Sequence, residues 1–132
     1  IFDAIIVLQP TTPFREVEVL NTALEKFLET TPDSVVSICK SGENPYWSKK
    51  IVNGNLVPVI DDNLFYTRRQ DLPTTYRING SIYIVGNDVL NRDTLLGERV
   101  ETVTMNAYYS IDIDTPLDFL IAEKLLGVEV DE

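Results

Sequence analysis

Two aspartates two residues apart, in Ser110-Ile-Asp-Ile-Asp114, carry the sharpest chemical signal of this sequence. On a strand, positions i and i+2 share a face, so Asp112 and Asp114 placed there suit a hard divalent cation. Magnesium takes one or two protein carboxylates and leaves its other positions to water and substrate phosphates, as nucleotide chemistry requires. On spacing alone the alternative stays open: both are solvated, or Asp114 caps the helix behind it.

Three further groups can meet a ligand. Gln9-Pro-Thr-Thr-Pro-Phe-Arg15 follows a buried-looking strand at the place where open α/β sheets bind, and the Gln9 amide suits a base or a sugar. A proline-ordered turn that leads into a helix explains the same residues. Arg68-Arg-Gln-Asp-Leu-Pro73, followed by Tyr76-Arg-Ile-Asn-Gly-Ser-Ile-Tyr83, offers guanidinium forks that clamp a carboxylate. Those arginines equally suit neutralising Asp61, Asp62 and Asp71. Tyr46-Trp-Ser-Lys-Lys50 sets aromatics beside Lys49 and Lys50, for an anionic ligand, for a second subunit, or as a half-exposed hairpin base.

Composition removes several classes. Histidine is absent, so there is no Ser-His-Asp or Cys-His arrangement, and no glycine-rich phosphate loop is present. The nucleophile of any reaction then comes from the substrate. The single cysteine, Cys39, excludes an intrachain disulfide and reads as a small core residue. A net charge of −10 repels phosphate backbones and argues against nucleic-acid or anionic-membrane partners. No apolar run is long enough for a membrane helix and no basic segment precedes a hydrophobic one, so the expected compartment is the cytoplasm. The chain opens directly into an apolar strand without an initiator Met, which raises the expectation of a piece of a longer protein.

The elements that must position these residues read as follows. Ala4 to Leu8 is a continuous apolar run that suits a central parallel strand buried on both faces. Val17, Leu20, Leu24, Phe27 and Leu28 recur at helical spacing up to about Thr30, with Glu16 and Glu18 in the first turn. Ser34 to Cys39 is a β-branched strand, so strand, helix and strand follow the order of a βαβ crossover in a mostly parallel, helix-covered sheet. Asn53-Gly54 between apolar runs predicts a β-hairpin excursion. Asp61 to Arg77 reads as an extended connection, Gly80 to Val85 as a strand and Asp88 to Leu96 as a short helix. Val100 to Met105 and Tyr108 to Ile113 read as extended. Thr115-Pro-Leu-Asp118 opens a final helix with Thr115 as N-cap, an apolar stripe of Leu117, Leu120, Ile121 and Leu125, and a stop at Gly127.

Leu8-Gln-Pro-Thr-Thr-Pro-Phe-Arg15, Arg69-Gln-Asp-Leu-Pro73, Asn79-Gly-Ser-Ile-Tyr83 and Asp112-Ile-Asp-Thr-Pro-Leu-Asp118, in this order and spacing, resemble the acylneuraminate cytidylyltransferase family. The resemblance implies an α/β, Rossmann-like nucleotidyltransferase sheet, truncated at its N-terminus, with residues 1–132 forming the C-terminal portion of one domain. Within it, about 45–77 forms a hairpin extension for homodimerisation. It implies transfer of CMP from CTP to a nonulosonic, sialic-acid-like sugar with release of pyrophosphate. Asp112 and Asp114 would ligate Mg²⁺, and Gln9, Asn79, Gly80 and Tyr83 would line the nucleotide and sugar pocket. Arg69 and Gln70, with Lys49 or Lys50, would reach the sugar from a partner subunit. Members of the family begin with a Gly, Arg and Lys-rich loop for the triphosphate that nothing here matches, so this chain alone is expected to be inactive. The alternatives are a cytidylyltransferase for another acidic sugar, or a non-catalytic module for dimerisation or acidic-sugar binding.

Overall fold

The computed structural model describes residues 2–60, 68–90, 92 and 94–127. They divide into two units, the described residues of 1–39 with 78–132 and those of 40–77.

The first unit is built on a four-stranded sheet with helices. Its elements are β1 (Ala4–Val7), α1 (Val17–Thr30), β2 (Ser34–Lys40), β5 (Tyr76–Gly86), α2 (Asn87–Leu90), β6 (Val100–Thr104) and α3 (Pro116–Leu125). The strand order is β1-β5-β2-β6. β2 pairs parallel with β6 from Ser34↔Val100 to Ile38↔Thr104, whereas β1 pairs antiparallel with β5 from Ala4↔Gly86 to Val7↔Tyr83. The result is a mixed α/β sheet that contains parallel pairing.

Position in that order decides burial. β2 is flanked by strands on both sides, and Ser34, Val35, Val36, Ser37 and Cys39 are all buried. β1, expected as a central parallel strand, is instead an edge strand of the described sheet, with Ile5 45% and Ile6 41% exposed. The reason is β5, a strand from much later in the chain, which inserts between β1 and β2 and pairs antiparallel with β1. No local pattern in residues 4–8 announces that insertion.

The core joins Ala23, Val35, Ile82, Ile84 and Val103, with Val19, Leu20, Leu24 and Phe27 of α1 packed against it. Three members of the expected stripe thus face the sheet, while Val17 and Leu28 face solvent at 64% and 73% exposure. Ala23, fully buried, allows close approach of α1 to the strands. The helix ends where Thr31 takes a left-handed conformation (φ 44°, ψ 55°) and its N–H bonds the Phe27 carbonyl.

Other expectations shift. The strand expected from Gly80 starts earlier, at Tyr76, and the helix expected over Asp88 to Leu96 is a single turn, Asn87–Leu90. Tyr108 to Ile113 is not a strand: Ala107–Tyr109 forms a 3-10 turn capped by the Asn106 side chain, and residues 110–114 are irregular. α3 starts as read, with Thr115 and Asp118 forming a capping box around Pro116. Its stripe does not: Leu117, Leu120 and Ile121 are 64%, 55% and 43% exposed, and Ala122 is the buried residue.

The second unit holds the hairpin β3 (Lys49–Val52) and β4 (Asn55–Pro58). Asn53 (φ 51°) and Gly54 (φ 78°) make the two-residue turn with both central residues at positive φ, which matches the twist of the strands. Ser41 N–H to the Thr75 carbonyl (2.9 Å) and Asn44 Nδ2 to the Pro73 carbonyl (2.9 Å) close the unit. No helix among the described residues is long and apolar enough to cross a membrane.

Candidate functional site

The loop after β1 is held by one guanidinium. Arg15 donates to the carbonyl of Gln9 (2.6 Å), the carbonyl of Thr12 (3.1 Å), Thr12 Oγ1 (3.2 Å) and the Ser81 carbonyl on β5 (3.1 Å). Fully buried Thr12 adds its own N–H and hydroxyl to the Gln9 carbonyl, at 3.3 and 3.0 Å. The loop is therefore fixed to the sheet through main-chain acceptors, which keeps Gln9 in place.

Gln9 in turn lies on Gly80. Gly80 has φ +76°, and a Cβ there would stand 2.5 Å from Gln9 Oε1. That backbone conformation favours glycine, and any Cβ there would push the Gln9 amide aside. Beside it, Asn79 is 2% exposed. Its Oδ1 accepts from Ser37 Oγ (2.5 Å) and the Ser81 N–H (3.2 Å), and its Nδ2 donates to Ser110 Oγ (2.8 Å) and Met105 Sδ (3.3 Å).

The aspartates come next along the chain. The Ile113 N–H bonds the Thr11 carbonyl (2.9 Å), which ties the segment between Asp112 and Asp114 to the Gln9 loop. They lie on irregular backbone and not on a strand, because Ser110 Oγ bonds the Asn106 carbonyl (2.8 Å) and folds the chain on itself. Asp112 is half-buried and its Oδ1 is buried without a hydrogen-bond partner among the described residues; Asp114 is exposed. Asp118 Oδ2 accepts from Thr115 Oγ1 (2.6 Å), the Thr115 N–H (2.8 Å) and the Asp114 N–H (3.3 Å). The Thr115 hydroxyl first, then these backbone donors, hold the Asp118 carboxyl below its ordinary value. Asp118 thus serves the cap, and no bond of that cap engages the carboxylates of Asp112 and Asp114.

Gln9, Asn79, Gly80 and the Asp112–Asp114 segment are thereby brought together in the first unit. Tyr83 lies on β5 opposite Val7, half-buried. Arg69, Gln70, Lys49 and Lys50 belong to the second unit. There, Arg69 and Gln70 line a cavity of about 490 Å³ with Lys40, Asn44, Thr74 and Thr75, and Arg69 bonds the Gly42 carbonyl (3.0 Å). Arg68 instead pairs with Asp71 at 2.9 Å. Asp61 and Asp62, the other acids read as its partners, lie outside the described residues. Lys49 and Lys50 are exposed on β3.

The residue patterns gave no role to Arg15, Ser37, Ser110 or Lys40. A serine amid the apolar run Ser34-Val-Val-Ser-Ile-Cys39 does carry a signal, since a buried hydroxyl needs a partner.

No family model matches the chain. Among curated proteins, it is 35% identical over 130 residues to a CMP-N,N'-diacetyllegionaminic acid synthase of Legionella pneumophila, covering 95% of this chain and 54% of that protein. It is 31% identical over 127 residues to post-translational flagellin modification protein B of Campylobacter coli, covering 95% and 53%. An N-acylneuraminate cytidylyltransferase of Streptococcus agalactiae is 28% identical over 117 residues, covering 87% and 28%. The chain spans about half the length of the first two of these relatives.

Proposed function

The chain belongs to the acylneuraminate cytidylyltransferase family, and from that premise we propose that the protein carrying it transfers CMP from CTP to a nonulosonic acid. The anomeric hydroxyl of the sugar attacks the α-phosphorus, the bond to the β-phosphate oxygen breaks, and pyrophosphate leaves. The observation that carries this reading is the buried, unpartnered Oδ1 of Asp112, two residues from Asp114 and tethered to the Gln9 loop. An orphaned carboxylate oxygen is costly unless a cation or donor meets it, so Asp112 and Asp114 fit as holders of Mg²⁺.

Among the described residues no group of three or more metal-ligating side chains assembles. That donor set suits magnesium, which leaves positions for substrate phosphates, better than a cation that demands a full protein cage. Once bound, the ion would offset charge that develops on the phosphates. Gln9, whose amide lies beside Gly80, would orient a base or sugar. In the second unit, Arg69, Lys40 and Gln70 line a polar cavity whose chemistry suits the carboxylate and hydroxyls of an acidic sugar. Within this proposal the protein is a homodimer, and legionaminate is the first sugar to try.

The test is pyrophosphate release from CTP and Mg²⁺ with legionaminate, N-acetylneuraminate or pseudaminate, in the complete gene product carrying this chain. The expected result is release that depends on one sugar and falls at least about 100-fold in Asp112→Ala and Asp114→Ala. Release that survives both substitutions removes the metal role of the pair, and a folded protein that releases nothing with any sugar removes the catalytic reading.

A further inference from the structure

An amide side chain can accept twice and donate twice, and Asn79 does all four with partners inside the first unit. At 2% exposure it has no polar capacity left to offer a ligand. Its partners come from separate parts of the fold. Ser37 lies on β2 and also accepts the Ile82 N–H (2.8 Å), Met105 follows β6, and Ser110 ends the 3-10 turn. Ser110 stands two residues before Asp112, and beyond Asp112 the Ile113–Thr11 bond is the next anchor. The half-buried carboxylate with the orphaned oxygen is thus strung between two fixed points.

We infer that Asn79 is a positioning residue: through Ser110 it sets the place of Asp112 and so the affinity of the metal pair, and it does not contact the substrate. This goes beyond the pocket-lining role that the family resemblance implies, and it rests on the magnesium-bearing reading of Asp112 and Asp114. Side chains that orient a metal ligand typically cost about 10-fold to 100-fold in metal affinity when removed. A buried amide that only joins strands would cost stability and leave metal affinity alone.

The test uses Mn²⁺ as the probe, titrated into the complete gene product and followed by water-proton relaxation, with thermal stability measured on the same samples. Asn79→Ala cuts the link toward Asp112 and keeps the Ser110 bond to the Asn106 carbonyl, Ser110→Ala removes both, and Ser37→Ala removes the other hydroxyl from Asn79 and keeps the link. The expected result is a Mn²⁺ dissociation constant raised roughly 10-fold in Asn79→Ala and in Ser110→Ala and unchanged in Ser37→Ala, with binding lost in Asp112→Asn. Should Ser110→Ala fail to fold, Ser110→Cys keeps the shape with a weaker acceptor and is expected to shift affinity in the same direction by less. Wild-type affinity in the folded Asn79 or Ser110 variant, with binding lost in Asp112→Asn, overturns the inference and leaves the metal reading standing. An equal shift in the Ser110 and Ser37 variants also overturns it. Absence of Mn²⁺ binding by the unsubstituted protein overturns both.

Discussion

Arg15 shows how much of the loop after β1 rests on one side chain. Its guanidinium serves the carbonyls of Gln9, Thr12 and Ser81, so the loop and β5 share one cation. Hydrogen bonds from a charged donor contribute about 1.5–3 kcal/mol, and Arg15→Met is expected to lower stability by roughly that amount in urea unfolding. Arg15→Lys retains the charge and loses the fork, so it recovers only part of the difference. A Lys variant as stable as the wild type would show that the charge, and not the geometry, holds the loop. The turn around Gln9 was legible in its prolines, whereas the need for glycine at position 80 was not, because it arises from a left-handed backbone and from Gln9, which comes from far away in the sequence. The role of Arg15 was not legible, because every carbonyl it binds is main chain and leaves no trace in residue type.

Elements repeat that division between local and distant causes. The start of α3 could be read from Thr115, Pro116 and Asp118, since a capping box closes within four residues. The hairpin turn at Asn53 and Gly54 was legible for the same reason. The place of β1 was not, because an edge position depends on β5, which lies some 70 residues away in sequence and inserts beside it. Asp33 works across a similar gap: its Oδ2 accepts from the Glu98 (2.7 Å) and Arg99 (3.0 Å) N–H groups and pins that loop to the start of β2. The Arg99 and Glu98 donors hold the Asp33 carboxyl below its ordinary 3.8, as Thr115 does for Asp118. A depressed carboxylate stabilises the fold fully above its unfolded value, and that contribution disappears as pH falls through the lower folded one. Stability is therefore expected to fall on acidification below 3.8, and less steeply in Asp33→Asn and Asp118→Asn, as read by thermal melts across that range. Thr115→Ala is expected to cost about 1 kcal/mol at neutral pH, as cap removals do.

At the scale of the whole molecule, the exposed apolar surface needs an owner. In the hairpin, Ile51 and Leu56 face each other across β3 and β4 and are 76% and 70% exposed, with Val52 and Val59 at 45% and 50%. A two-stranded sheet is marginal alone in water, and apolar side chains clustered on one mark an interaction surface. Within the homodimer proposed above, Ile51 and Leu56, which share one face of the hairpin, are the ones to bury against a second copy. Burying such a side chain contributes about 1.5–3 kcal/mol, so replacing both Ile51 and Leu56 by serine is expected to weaken self-association well beyond roughly 10-fold. Because both residues are exposed within their own unit, the substitution leaves the turn and the ladder intact and the protomer folded. Light scattering across a dilution series of the complete gene product reads the outcome. A wild-type dimer that becomes monomeric in the double variant assigns the interface to the hairpin, and equal masses for the two proteins assign it elsewhere.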